Sequence, residues 1–295
     1  MTTFIFGEAM LEYHSHGGAG LRYGGDTLNT AIHLARAGHD VAYVTAVGTD
    51  PISDALVAAW AAEGIDTRHV LRHPDRNPGI YAIHLDEQGE RSFLYWRDRS
   101  AAREMFVLPG MAEALDAAAA ARLVYFSLIS LAIVDDAGRD ALIALAGQRK
   151  QAGKAVAYDS NFRPNLWPDH AAAAAVSQRV VHNCTIGLPT NTDERDLWGS
   201  DEGECAIARR WAADGCDLIA VKAAEKGCVL STSTAREPEI IAAVPTDVVD
   251  SSGAGDAFNG GFLDGWLRGK AVGECVESGQ QKARETLAHR GAILL

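Results

Sequence analysis

Seven consecutive residues near the end of the chain, Asp250-Ser251-Ser252-Gly253-Ala254-Gly255-Asp256, carry the most chemical information in the sequence. They lie between a β-branched pair (Val248, Val249) and a helix-like segment that begins at Ala257. A loop of small residues there bares backbone N–H groups at a helix N-terminus, a natural seat for phosphate or another oxyanion. Asp256 stands at the same helix start. A carboxylate beside a bound polyphosphate is unfavourable unless it serves as a base or faces a metal ion. Cradle plus carboxylate therefore suits phosphoryl transfer to a hydroxyl, with Asp256 taking the proton. A plain helix start, capped by Ser252 or Asp256, accounts for the same residues without chemistry.

Other clusters sit at comparable junctions. Gly24-Gly25-Asp26-Thr27-Leu28-Asn29 opens the first long helix; its glycines permit close backbone approach, and Asp26 and Asn29 can bond hydroxyls, unless Asp26 or Thr27 is simply a cap. In Tyr95-Trp96-Arg97, strand alternation puts Tyr95 and Arg97 on one face, presenting a ring and a guanidinium; a guanidinium holds a carboxylate through two parallel hydrogen bonds. The competing reading is a solvated edge strand. Asp159-Ser160-Asn161-Phe162-Arg163-Pro164 follows a strand, where open α/β sheets gather their sites, so Asn161 and Arg163 stand in the right zone. Arg163 is a second candidate clamp, or a structural arginine paired with an acid. Asn191-Thr192-Asp193-Glu194 either acts near phosphates through Mg²⁺ and its waters or complements a helix dipole. Lys222-Ala223-Ala224-Glu225-Lys226-Gly227 forms a turn that could lie along a nucleotide. A Walker A loop and a strand–GxGxxG–helix fingerprint are both absent, which removes the P-loop and dinucleotide-binding classes.

The elements that must position these clusters alternate between strand and helix, the pattern of a parallel sheet covered by helices. Val41 to Val47, Leu123 to Phe126, Val156 to Tyr158, Cys184 to Leu188 and Leu218 to Val221 read as strands. Helices are expected over Thr27 to Ala37, stopped by Gly38, and over Asp136 to Gln151, His170 to Val180, Ala254 to Leu267 and Gly273 to Leu287. One region breaks the rhythm: Ile80 to Leu85 and Ser92 to Trp96, joined by the polar turn Glu87-Gln88-Gly89-Glu90, read as a β-hairpin. With the β-like stretch from Glu8 to Tyr23 it is expected to form a small antiparallel lid, drawn discontinuously from about residues 9–23 and 79–104. The whole chain, 1–295, then forms one α/β domain.

Composition bounds the function. With 47% apolar and 22% charged residues the chain is a globular protein of the soluble type. A net charge of −12 argues against a nucleic-acid surface, so an anionic ligand must meet a local positive site. The five scattered cysteines include no CxxC pair and read as reduced. No signal peptide or membrane-length apolar run is visible, so the expectation is a cytoplasmic protein without a membrane partner.

Taken in order, Gly24 to Asn29 and Gly253-Ala254-Gly255-Asp256 resemble the ribokinase-like (PfkB) carbohydrate kinases over essentially the whole chain. Tyr95-Trp96-Arg97, Ser100-Ala101-Ala102-Arg103, Ser160 to Pro164 with Leu166-Trp167, and His289-Arg290-Gly291-Ala292 look most like the subgroup acting on 2-keto-3-deoxygluconate. The resemblance implies a central, mostly parallel sheet flanked by helices, with a β lid over the sugar that often mediates homo-oligomers. It implies an ATP-dependent kinase acting on the terminal primary hydroxyl of that sugar acid. By the same resemblance Asp256 is the general base, and the amides of Gly253, Ala254, Gly255 and Asp256 form the anion hole. Gly24, Gly25, Asn29, Tyr81, Tyr95, Arg97 and Arg163 would line the sugar-acid pocket. Asn161, Lys222, Glu225, Gly227, Gly253 and Gly255 would contact ATP, while Asn191 and Glu194 would act indirectly on its Mg²⁺. Asp250 and nearby carbonyls either build a monovalent-cation site or brace the loop. Kinases for 2-keto-3-deoxygalactonate, fructose or ribose are the neighbouring readings, and a sugar-acid sensor without turnover is the one from another class. Two residues depart from the pattern: Ala224 stands where the family often has Gly, and Phe162 where the subgroup often has Tyr.

Overall fold

The computed structural model describes residues 2–14, 22–85, 91–233 and 237–293. In chain order the first half contains β1 (Thr3–Phe6), β2 (Met10–His14), β3 (Arg22–Gly24), α1 (Asp26–Arg36), β4 (Val41–Val47), α2 (Pro51–Ala62), β5 (Ile65–Asp66), β6 (Val70–Arg72), β7 (Gly79–Leu85) and β8 (Arg91–Trp96). Then come α3 (Met111–Ala120), β9 (Leu123–Ser127), α4 (Leu128–Ala132), α5 (Asp136–Gln151), β10 (Ala155–Asp159), α6 (His170–Asn183), β11 (Ile186–Gly187), α7 (Asn191–Trp198) and α8 (Glu204–Ala213). The chain closes with β12 (Leu218–Lys222), β13 (Cys228–Thr232), β14 (Glu239–Ile241), α9 (Ala254–Leu267) and α10 (Val272–Leu287).

The main sheet runs in the order β14-β13-β12-β11-β10-β9-β1-β4-β5, with β6 also pairing β4. Its strands are parallel from β12 through β5, and β13 and β14 add antiparallel at one edge. Strands covered on both faces should be apolar, and β1, β4, β9, β10 and β12 are, apart from Thr3, Thr45, Ser127, Asp159 and Lys222. On β1, Phe4 and Phe6 enter one core while Ile5 enters the other. On β9, Val124 and Phe126 divide from Leu123 and Tyr125 in the same way. The first core is closed by α3, α5, α6 and α8; the second by α1, α2, α9 and α10. The helices expected over Asp136–Gln151 and Ala254–Leu267 have those same ends. The strand expected over Cys184 to Leu188 keeps only Ile186 and Gly187.

A second sheet of four strands, β3-β2-β7-β8, forms the lid. The hairpin pairing of β7 with β8 is as expected, and its turn, Glu87 to Glu90, lies outside the described residues. The lid is not wholly antiparallel, however. β2 and β7 run parallel, because β3, α1, β4, α2, β5 and β6 intervene and return the chain in the same direction. Alternation gives this sheet two distinct faces. Glu12, Tyr81 and Tyr95 share one; Leu11, Tyr13, Ile80, Leu94 and Trp96 share the other.

Candidate active site

The two glycine turns open two helices that pack on each other, α1 and α9. Gly253 is the N-cap of α9 and sits in the left-handed region (φ 71°), where an added Cβ would stand 2.4 Å from that of Ala292. No side chain caps this helix, so the cap reading of Ser252 and Asp256 is set aside. Ala257 N–H is bonded to Gly253 O at 2.8 Å and Ala254 N–H reaches Ser251 O at 3.4 Å; the amides of Gly255 and Asp256 lie between them, where an α-helix offers no acceptor of its own. Asp250 braces the loop: its oxygens accept from Ser252 N–H at 2.8 Å and Gly291 N–H at 2.7 Å.

Asp256 is tied to the other turn. Asn29 Nδ2 donates to its Oδ2 at 2.8 Å, and Thr30 Oγ1 donates to its backbone oxygen at 3.3 Å. Gly25 makes this approach possible: its φ of 151° and the 2.4 Å from an added Cβ to Glu8 O leave room for no side chain. Desolvation pushes the Asp256 carboxyl well above the usual carboxylate range, the charge of Asp26 adds to this, and the Asn29 bond opposes it. Asp26 is not a helix cap either. Its Oδ2 accepts from the Ser127 hydroxyl and, at 3.1 Å, from Asn161 Nδ2, and burial raises its pKa as well.

A third carboxylate, Asp159 at the end of β10, completes the group. Lys222 Nζ donates to its Oδ2 at 2.8 Å and to Asn259 Oδ1 at 3.0 Å, while Asn259 Nδ2 donates to the same Asp159 oxygen at 2.6 Å. Lys222, expected to contact ATP, uses two of its three ammonium donors in this buried group. A Cβ on Gly255 would still lie only 3.8 Å from Lys222 Nζ, so the cation stands behind the amide cradle. Of the turn that follows, Glu225 is exposed and Gly227 is buried with positive φ. Ala224 is held at φ 47°, a conformation that costs any residue with a Cβ and suits the Gly often found there.

The lid contributes the aromatic wall. Tyr81 and Tyr95 stack with centroids 6.1 Å apart, Tyr81 donates its hydroxyl to Glu12, and an added Cβ on Gly24 would meet that hydroxyl at 2.3 Å. Arg97 lies 5.9 Å from the Tyr95 ring centroid, as a shared face requires. Arg97 is buried and ion-paired with Glu8, so it is not the solvated edge charge of the competing reading. Arg163 is half-exposed; it donates to Phe162 O at 2.6 Å and stands 3.5 Å from Asp193. The two arginines thus differ sharply in environment, one locked in a buried pair and the other open to solvent.

Asn191 and Glu194 lie beside this group, since Thr190 bridges to Lys222. Asn191 Nδ2 donates to Glu204 at 2.8 Å. Glu194 Oε2 accepts from Arg210 at 2.9 Å and from Trp211 Nε1 at 3.1 Å, while its Oε1 is buried without a partner. That acceptor fits a hydrated cation as an outer contact. Among the described residues no group of three His, Cys, Asp or Glu is placed to hold a metal alone. Three members of the site were not foreseen. Glu8 follows a buried strand, which was its only signal; Asp159 was overshadowed by Asn161 and Arg163; Asn259 looked like part of a core helix face.

Comparison with known proteins agrees with this architecture. The chain is 37% identical to the 2-dehydro-3-deoxygluconokinase of Haemophilus influenzae over 98% of its length and 94% of the relative's. It is 35% identical to the enzyme of that name in Escherichia coli strain K12, over 98% and 96%. A fructokinase from Vibrio cholerae O395, solved with fructose, ADP and calcium ion bound, superposes with a TM-score of 0.81 at 22% identity, covering 99% of this chain and 94% of that one, a likeness of fold. No helix among the described residues is long and apolar enough to cross a membrane. The sequence pattern of the pfkB family of carbohydrate kinases matches residues 12–295, and the chain belongs to that family.

Proposed function

We propose that the chain transfers the γ-phosphoryl group of ATP to the terminal primary hydroxyl of 2-dehydro-3-deoxy-D-gluconate, giving the 6-phosphate. The observation that carries the reading is the junction of the two glycine turns. A half-buried carboxyl, Asp256, is held by Asn29 in the first turn of α9, beside the free amides of that helix start. The names of the two curated relatives give the substrate class.

In this reading the sugar acid lies between the Tyr81–Tyr95 wall and Asp256, over Gly24 and Gly25. Arg97 receives its carboxylate, and Arg163 does so from the open side. Asp256 takes the proton of the hydroxyl as that oxygen attacks phosphorus in line. The Gly253 to Asp256 amides take up charge on the transferring group, with Lys222 behind them. Phosphoryl transfer depends mainly on positioning and electrostatics, which this division of labour supplies. The nucleotide lies along Asn161 and the Lys222–Gly227 turn. Asn191 and Glu194 would face the Mg²⁺ bound with ATP indirectly, and that ion would supply neutralisation of phosphate charge.

The outer face of the lid supports a homo-oligomer. Tyr13, Leu94 and Trp96 are 61%, 56% and 60% exposed on the face turned away from Tyr81 and Glu12. An apolar sheet face of that kind suits a second copy of itself.

The test is ADP release with Mg·ATP against 2-dehydro-3-deoxygluconate, its galactonate epimer, gluconate, fructose, ribose and adenosine. Turnover confined to the keto-deoxy acids is expected. Turnover with fructose or ribose alone would overturn the substrate and leave the kinase; none with any of them would favour a sensor.

A further inference from the structure

The group that fixes Arg97 has no assigned role. Glu8 lies in the short link between β1 of the main sheet and β2 of the lid, whereas Arg97 directly follows β8, on the far strand of the lid. Both are buried, Glu8 at 1% and Arg97 at 7% exposure, and Arg97 Nη2 donates to Glu8 Oε2. Glu8 also touches the sugar floor from below, since its backbone oxygen closes over Gly25. Gly79 leaves the space the pair needs: an added Cβ would lie 3.0 Å from Glu8 Oε1 and 3.1 Å from Arg97 Cβ.

The pairing is incomplete. Arg97 Nε and Glu8 Oε1 are both buried without a hydrogen-bond partner. The surface pair Arg36–Glu63 shows the complete form, with Nε and Nη2 each bonded at 2.6 Å. Glu8 therefore holds the guanidinium by one corner and leaves a buried donor unsatisfied. A buried guanidinium with no counter-charge is strongly unfavourable, so without Glu8 the arginine would leave this position. With Glu8 it is both retained and only partly satisfied, the state in which a ligand carboxylate gains most from it.

We propose that Glu8 is a positioning residue for sugar-acid specificity, acting through Arg97; this rests on the functional reading above. A neutral sugar has no use for the device, whereas an acid receives the remaining guanidinium donors in a fixed orientation.

The experiment is a double-mutant cycle on the full chain: Glu8→Ala, Glu8→Gln, Arg97→Ala, and Arg97→Ala combined with each Glu8 variant, assayed with 2-dehydro-3-deoxygluconate and ATP and checked by thermal melting. Glu8→Ala is expected to raise KM for the sugar acid about tenfold, with kcat and KM for ATP little changed. Glu8→Gln keeps an acceptor for Nη2 but removes the counter-charge, so it should raise KM for the acid less than Glu8→Ala does. In the Arg97→Ala background neither Glu8 change should raise KM further. Additive effects, or a parallel fall in kcat and rise in both KM values, would overturn the proposal. If Glu8→Ala fails to fold, Arg97→Ala and Glu8→Gln carry the cycle: an increase in KM for the acid on Glu8→Gln that persists without Arg97, or a KM unchanged by Arg97→Ala, refutes it. Absence of wild-type turnover with the acid would overturn the functional reading and this proposal together, whereas wild-type turnover with additive mutants overturns the proposal alone.

Discussion

The carboxyl of Asp256 has two neighbours that act on its proton with opposite sign, and this makes the assignment of the base testable by pH alone. Desolvation raises its pKa, Asp26 raises it further, and Asn29 lowers it. Only the ionised form accepts a proton, so kcat/KM should fall as pH drops through the pKa of Asp256 in the free enzyme. Asn29→Ala removes the 2.8 Å bond to Oδ2. Hydrogen bonds to charged groups contribute about 1.5–3 kcal/mol, and about 1.4 kcal/mol corresponds to one pH unit. That bond favours the ionised form, so losing it should move the acid limb upward by about one to two pH units. Asp26→Asn removes the like charge while keeping an oxygen for Ser127 and Asn161, and should move the limb downward. The assay is kcat/KM for the sugar acid by ADP release from about pH 5 to pH 9, at saturating nucleotide. An acid limb unmoved by Asn29→Ala, or moved the same way by both variants, would refute Asp256 as the group whose ionisation limits turnover.

Asp256→Asn should lower kcat by roughly 10²- to 10⁴-fold. Because the folded pKa of Asp256 is raised, that carboxyl favours the folded state below its ordinary unfolded value and loses this as pH rises through the raised one, so the asparagine variant should melt higher than wild type at pH 8. Ala224→Gly releases a left-handed residue that costs about 1–2 kcal/mol against an unfolded-state entropy of about 0.4–1 kcal/mol, so denaturant unfolding should show stability equal to wild type or up to about 1.6 kcal/mol higher. Leu94→Glu with Trp96→Glu puts charge on the outer lid face and should give monomers by light scattering while Tyr81 and Tyr95 keep their places; oligomers that persist would exclude that face as the interface.

The parts of this molecule legible in the sequence are those fixed by local chemistry. Gly253 had to be glycine for its positive φ, and Asn29 and Asp256 each fall within the first turn or so of a helix that a glycine opens, so both turns stood out before their partnership was known. The strand run Val41 to Val47 was equally plain, being apolar at every position bar Thr45, as burial on both faces demands. What escaped depends on partners distant in sequence. The parallel pairing of β2 with β7 follows from the path of the chain through the main sheet, which no local pattern encodes. Lys222 was placed correctly at a strand end, but its ammonium turns inward because Asp159 and Asn259 wait there, 63 and 37 residues away. Glu8 is the same case: a carboxylate after a strand means nothing until Arg97 arrives from the lid.

The charges of the site also explain how a chain of net charge −12 can receive an anionic sugar and a polyphosphate. The global field opposes both ligands, so the site must present them with local structure that is close to neutral. It does so by pairing. Glu8 is matched by Arg97, Asp159 by Lys222, and Asp193 by Arg163. At the junction of α1 and α9 stand Asp26 and Asp256, both pushed up by burial, with the charge of Asp26 raising Asp256 further. Two interacting carboxyls titrate as a unit, and holding one proton between them costs less than ionising both. The cradle of amides at α9 meets the phosphoryl group with partial positive charge. Ser127 and Asn161 stabilise the ionised form of Asp26, while Asn29 stabilises that of Asp256. The same side chain that links the two glycine turns therefore also favours the ionised base.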